Sequence, residues 1–142
     1  MKRALSLLSI TLCMTVLFIA CKKNKDGEPN HELVNRWQEK LSGGFTRTLI
    51  FSSDGKFSME FAGGDENSVV NGKYIVNGNS LKVNLTESLS KLGTSNVVRT
   101  KIDYELFEKG TYKIEGSVLI IQYISYPADA PVQTETEYTL TK

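Results

Sequence analysis

Chemistry at a protein site needs a nucleophile, a base or a set of ligands, and this chain owns few side chains that supply them. It has one histidine, His31, and two cysteines, Cys13 and Cys21, in 142 residues. Ser-His and Cys-His catalysis require an imidazole held against the attacking atom, and His31 follows a polar stretch where a ring is solvated rather than held. Structural metal centres need about four convergent ligands. Asp65 and Glu66 are adjacent carboxylates in Gly63-Gly64-Asp65-Glu66-Asn67, without the ligand number or spacing of an EF-hand loop. Asn84-Leu85-Thr86 matches a glycosylation acceptor by composition alone, and no Gly-rich phosphate loop joins a strand to a helix. The expectation is therefore a non-enzymatic protein with no catalytic residue, no metal and no cofactor. The side chains the chain does have in number are aromatic: six Tyr, six Phe and Trp37. Tyrosine carries an apolar ring and a polar tip, which suits a cavity wall as well as a barrel rim.

The elements that would position those rings are strands. From about residue 36 the dominant period is two, as in antiparallel sheets with one wet and one buried face. Phe57, Met59 and Phe61 alternate with Lys56, Ser58 and Glu60, while Val98, Thr100, Ile102, Tyr104 and Leu106 alternate with Arg99, Lys101, Asp103 and Glu105. Turn residues fall between runs at Asp54-Gly55, Asn77-Gly78-Asn79 and Gly116-Ser117. This predicts nine extended runs, near 36–40, 45–52, 56–61, 69–76, 80–85, 97–107, 111–115, 117–125 and 132–141. Helix is expected only as a short N-terminal turn over His31–Trp37, capped by Asn30, with a second, weaker candidate at Glu87–Leu92. The segment from Gly72 to Val83 recurs from Gly110 to Ile121, offset by 38 residues, both reading G-x-Y-x-[VI]-x-G-x-x-L-x-[VI]. Such an echo favours hairpin after hairpin over a parallel sheet.

Composition sets the frame. With 40% hydrophobic and 23% charged residues, the chain has the apolar content for one core and the length for one domain. Its formal charge of +1 gives no basic surface for nucleic acid. Lys2 and Arg3 precede a run from Ala4 to Ala20 with no charge, the order of an export signal. Leu17-Phe18-Ile19-Ala20-Cys21 resembles the lipobox of bacterial lipoproteins, with Phe18 where Leu is usual. The resemblance implies a signal peptide over 1–20, lipid on Cys21, a membrane anchor and a place in the cell envelope, at the outer membrane, with the leaflet open. Losing residues 1–20 removes two bases and no acid, so the formal charge falls from +1 to −1. Lys22–Asn30 has no apolar residue besides Pro29 and reads as a flexible tether over 21–30.

Eight or nine strands without helices hide an apolar face by closing into a barrel or packing as two sheets. The order of features over 31–142 resembles the lipocalin-like domains of small Gram-negative lipoproteins: Trp37 in the first strand, an F-x-x-D-G-x-F hairpin from Phe51 to Phe57, then the two G-x-Y hairpins. Asn35 stands where the G-x-W motif of the best-known lipocalins has Gly. The fold expected is an all-β, antiparallel, up-and-down barrel of about eight strands. Alternation turns Phe45, Arg47, Leu49, Phe51, Phe57, Met59, Phe61, Tyr74, Tyr104, Tyr112, Tyr123, Tyr138 and Leu140 inward. Of these, Arg47, Phe57, Met59, Phe61, Tyr74, Tyr104, Tyr112 and Tyr123, with Trp37, are the candidate ligand-lining residues. The same set also describes a filled core. Arg47 has three readings: a cation-π stack on Trp37, a cation facing an anionic ligand group at the barrel mouth, or a side chain turned outward by a local bulge. The functional expectation is a carrier of a small apolar ligand. The alternative is an interaction module for an envelope protein or a glycan, using connections at Thr86–Asn96 and Tyr126–Pro131.

Overall fold

The computed structural model describes residues 30–64 and 66–141; the expected signal segment, Cys21 and all of the expected tether but Asn30 lie outside the described residues. The period-two runs become β1 (Arg36–Lys40), β2 (Thr46–Phe51), β3 (Lys56–Gly63), β4 (Glu66–Asn77), β5 (Ser80–Leu92), β6 (Val98–Glu105), β7 (Glu108–Glu115), β8 (Val118–Ser125) and β9 (Val132–Thr141). Each pairs antiparallel with its neighbour, and β1 closes the ring by pairing with β9. β6 and β7 both run antiparallel to β5, separated only by Leu106 and Phe107. They are two segments of one strand position, which makes the nine runs an eight-stranded up-and-down barrel. Closure removes the unpaired edge that an open sheet of this length would expose.

The 38-residue echo has a physical basis. Gly72 and Gly110 both sit at β-bulges, where registers shift between Asn71 and Gly72 and between Glu108 and Thr111. A side chain at Gly72 would collide with the Asn84 carbonyl, and one at Gly110 would lie 2.6 Å from the Leu81 carbonyl oxygen. The bare backbone lets each strand bend against its neighbour. Past each bulge, Tyr74 and Tyr112 turn inward, Gly78 and Gly116 reverse the chain at φ +61°, and Leu81, Val83, Leu119 and Ile121 fill the interior. The two hairpins meet at the narrowest seam of the barrel, where Ser80 pairs with Thr111 and Tyr112 N–H donates to the Asn79 carbonyl.

The expected short N-terminal turn forms over 31–35 and stops before Trp37: the Leu33 and Val34 amides bond the Asn30 carbonyl, and Asn30 caps the turn, its Oδ1 accepting from the Glu32 amide. Trp37 then joins β1, because pairing with Leu49 and Leu140 on both sides satisfies its backbone. Glu87–Leu92 is not a helix but the second half of β5, paired with β4 along its length and with β6 up to Ser90. The connection expected at Thr86–Asn96 shrinks accordingly to the five residues between β5 and β6.

The turn over 31–35 stoppers one end of the barrel. Leu33 is fully buried in the core, and its carbonyl accepts a 2.9 Å bond from the Trp37 indole N–H. Asn30 Nδ2 donates to the Tyr112 hydroxyl at 2.9 Å, and the Phe51 amide bonds the Asn35 carbonyl. The hairpin turns at Asp54-Gly55, Gly78-Asn79 and Gly116-Ser117 lie at this closed end. The opposite end carries the connections β1–β2, β3–β4, β5–β6 and β8–β9.

Candidate functional site

The inward residues divide by height along the barrel. Near the closed end Trp37, Phe57, Met59 and Tyr74 are buried parts of one core. Phe51 packs edge-on against Phe57 and Tyr74, at centroid distances of 5.1 and 5.0 Å. The Tyr74 hydroxyl donates to the Ser52 carbonyl at 2.9 Å. For these candidates the structure supports the filled-core reading: their area stabilises the fold and their polar tips already have partners.

Halfway up, Glu39 and Arg47 face each other across β1 and β2 and pair at 2.5 Å, both about one-fifth exposed. The Arg47 guanidinium carbon lies 5.4 Å from the centroid of the Tyr138 ring. The cation-π stack expected on Trp37 is thus made on Tyr138. The register explains the difference: Trp37 pairs with Leu49, one inward position nearer the closed end, so its indole is out of line with Arg47.

The Tyr138 hydroxyl is buried and has no hydrogen-bond partner among the described residues. Burial pushes its pKa far above the ordinary 10.0, and the nearby Arg47 charge only partly offsets this. Burial likewise raises Tyr74, helped by Asp54 and Tyr112. A phenol whose folded pKa exceeds its unfolded one contributes stability that is complete below about pH 10 and is lost as pH rises beyond it. Tyr138→Phe removes an orphaned hydroxyl, so it is expected to raise stability at neutral pH by about 1 kcal/mol and to flatten the alkaline loss. Urea midpoints at about pH 8 and about pH 11 check both effects; a destabilised variant would mean the hydroxyl has a partner.

At the open end the interior widens into two clefts. The first, of about 490 Å³, is lined by Phe45, Phe61, Ala62 and Val98 with a fringe of Asn67, Ser68, Ser90, Lys91 and Ser95. β3 supplies Phe61, and its cross-strand partner on β2 is Arg47. Phe45 enters from the β1–β2 loop and lies on Gly63, whose missing side chain makes room for the ring. The second cleft, of about 500 Å³, is lined by Tyr104, Glu105, Leu106, Glu108, Tyr123, Ile124, Ser125 and Tyr126. It opens in the notch between β6 and the end of β8. There β8 pairs with β7 only from Glu108↔Ile124 downward.

Of the candidate lining residues, Phe61 therefore borders the first cleft and Tyr104 and Tyr123 the second. Tyr112 borders a smaller hollow of about 100 Å³. Tyr104 shares the face of its cross-strand partner, buried Leu85, as alternation suggested, but is 60% exposed, because most of β6 stands above the core. Phe45 and Leu140 are also partly exposed, 42% and 37%, because they sit at opposite rims rather than along the wall. Comparison with protein-family models, with curated proteins and with solved structures finds no match for this chain.

The geometry of the open end favours binding. Among the described residues eight large hydrophobic side chains are left exposed; Phe45, Val97, Val98, Tyr104, Tyr126 and Val132 stand at the open end, and Ile75 and Leu140 lie away from it. Sequence reasoning missed Glu39, Ser68, Ser90, Lys91 and Glu108. Glu39 alone carried a readable signal, since the Ser42–Gly44 turn places it opposite Arg47. Among the described residues no group of three His, Cys, Asp or Glu side chains is placed to hold a metal ion.

Proposed function

We propose that this protein is a non-enzymatic lipoprotein of the cell envelope, anchored at the outer membrane through lipid on Cys21, whose lipocalin-like barrel binds or carries a small apolar ligand. The observation that carries the reading is the first cleft: Phe45, Phe61, Ala62 and Val98 form an apolar wall, and the serines, Asn67 and Lys91 supply a few polar groups at its edge. Its volume falls within the range of small-molecule sites. The chain enters the barrel at the closed end, beside Tyr112. A nine-residue tether reaches at most about 30 Å, so an anchor at Cys21 holds the closed end near the membrane and leaves the open end free.

The test is native mass spectrometry of the protein exported to a bacterial periplasm, with displacement of a fluorescent fatty-acid analogue as the second readout. A co-purifying apolar molecule is expected. Ser90→Trp, which fills the cleft from an exposed position, is expected to weaken the analogue about tenfold while leaving thermal unfolding in place. An unaltered affinity in that variant would sink the assignment of this cleft. The ring of exposed apolar side chains also favours a second reading, an interaction module that docks an envelope protein or a glycan through its rim. A stoichiometric partner lost on Val97→Asp or Val132→Asp, with the fatty-acid analogue unbound, would favour that reading.

A further inference from the structure

The second cleft has a chemistry of its own. Three phenol rings, Tyr104, Tyr123 and Tyr126, meet two carboxylates, Glu105 and Glu108, with no basic side chain in the lining. Glu105 is matched by Lys82 at 3.2 Å. Glu108 meets no cation among the described residues; its Oε2 accepts a 2.9 Å hydrogen bond from the Tyr126 hydroxyl. Tyr123 is fixed from behind by an edge-on contact with buried Phe107, at 5.2 Å between centroids. Tyr104 and Tyr126 are 60% and 51% exposed, so two of the three rings present surface to solvent. Aromatic faces are electron-rich and attract cations, most strongly those too weakly hydrated to resist desolvation.

We infer that the notch between β6 and β8 is a binding site for a small organic cation of the quaternary or alkylated ammonium class. The three tyrosines provide ring surface and Glu108 provides the counter-charge. The Tyr126 hydroxyl holds the Glu108 carboxylate in place, and the same bond raises the pKa of the Tyr126 phenol. A neutral apolar ligand gains nothing from Glu108, and an anionic one is repelled by it. The site is separate from the apolar cleft and does not depend on what that cleft binds.

The experiment uses the full chain in nonionic detergent with ring-labelled tyrosine, the signals of Tyr104, Tyr123 and Tyr126 assigned through their Phe variants. Choline is titrated to about 50 mM beside its neutral carbon isostere dimethylbutanol. The expected result is a saturable shift of those three signals with choline and at least about tenfold weaker binding of the isostere. Glu108→Gln keeps an acceptor for Tyr126 while removing the charge, and is expected to weaken choline about tenfold. An unchanged Tyr123 signal in the unliganded variant confirms that the notch is still built. Equal binding of both probes, no shift with choline, or undiminished affinity in Glu108→Gln at an intact notch each overturns the assignment.

Discussion

Alanine at Gly72 is expected to lower the unfolding free energy by about 3 kcal/mol, near the upper end for overpacking a well-formed site. The obstacle is backbone: a methyl group there would collide with the carbonyl of Asn84 and crowd the Cα of Leu85. Neither atom can swing aside as a side chain would, because β5 is held by β4 on one side and β6 on the other. Gly110→Ala meets the Leu81 carbonyl and buried Phe107 in the same way, and a comparable loss is expected. Gly78 supplies the control. Its φ is +61° and no atom lies within contact of a side chain there, so alanine costs only the left-handed strain of about 1 kcal/mol. Urea midpoints for the three variants should fall in two classes, with Gly72→Ala and Gly110→Ala together. Were Gly72→Ala no worse than Gly78→Ala, the bulge between Asn71 and Gly72 would have to lie elsewhere.

That pair of glycines shows why so much of the fold was legible. Period-two alternation locates a strand without knowledge of its partner, and the Gly turns locate its ends. The repeated G-x-Y-x-[VI]-x-G-x-x-L pattern encodes one local solution used twice: bend at a bulge, bury a tyrosine, reverse, then bury two aliphatics. What alternation cannot encode is the height of a residue along the barrel. Tyr74 and Tyr104 read alike in sequence and both share the inward face, yet one lies in the core and the other lines an open notch, because most of β6 stands above the core. Glu87–Leu92 read weakly as a helix because its short run has no strong alternation; only its pairing with β4 and β6 makes it a strand.

The clefts were harder to read for a related reason. The first is assembled from two loop residues, Phe45 and Ser95, from the ends of β3 and β5 and from the starts of β4 and β6, so no contiguous segment carries its signature. Half of its lining is Ser, Asn and Lys, residues that in sequence look like any wet face. The aromatic set foreseen from alternation was divided instead. Trp37, Phe57, Met59 and Tyr74 build the core, whereas Phe61, Tyr104 and Tyr123 reach the openings. The division follows from the taper of a barrel whose closed end is filled by Leu33 and the indole–carbonyl bond from Trp37.

Cys21→Ser is expected to abolish incorporation of radiolabelled palmitate completely, the largest effect foreseen for any single substitution in this chain. The reasoning rests on the lipobox-like Leu17–Cys21 segment and on the chemistry of the thiol, since a serine hydroxyl cannot form the thioether that carries the diacylglycerol. Membrane fractionation alone would not read this out. A single acyl chain binds a bilayer only marginally, and two or three hold it stably, but a variant whose signal is not removed keeps the uncharged run from Ala4 to Ala20 and can stay at the membrane through it. The two states differ in covalent mass. Under the proposed anchoring the mature wild-type chain starts at residue 21 with its acyl groups, whereas the variant is expected to retain residues 1–20 and carry none. Label and intact mass together therefore separate a lipid anchor from a peptide anchor, and a Cys21→Ser protein that still took up palmitate would refute the anchor proposed here. The barrel serves as an internal control, because neither state alters residues 30–141 and both should unfold at the same denaturant concentration.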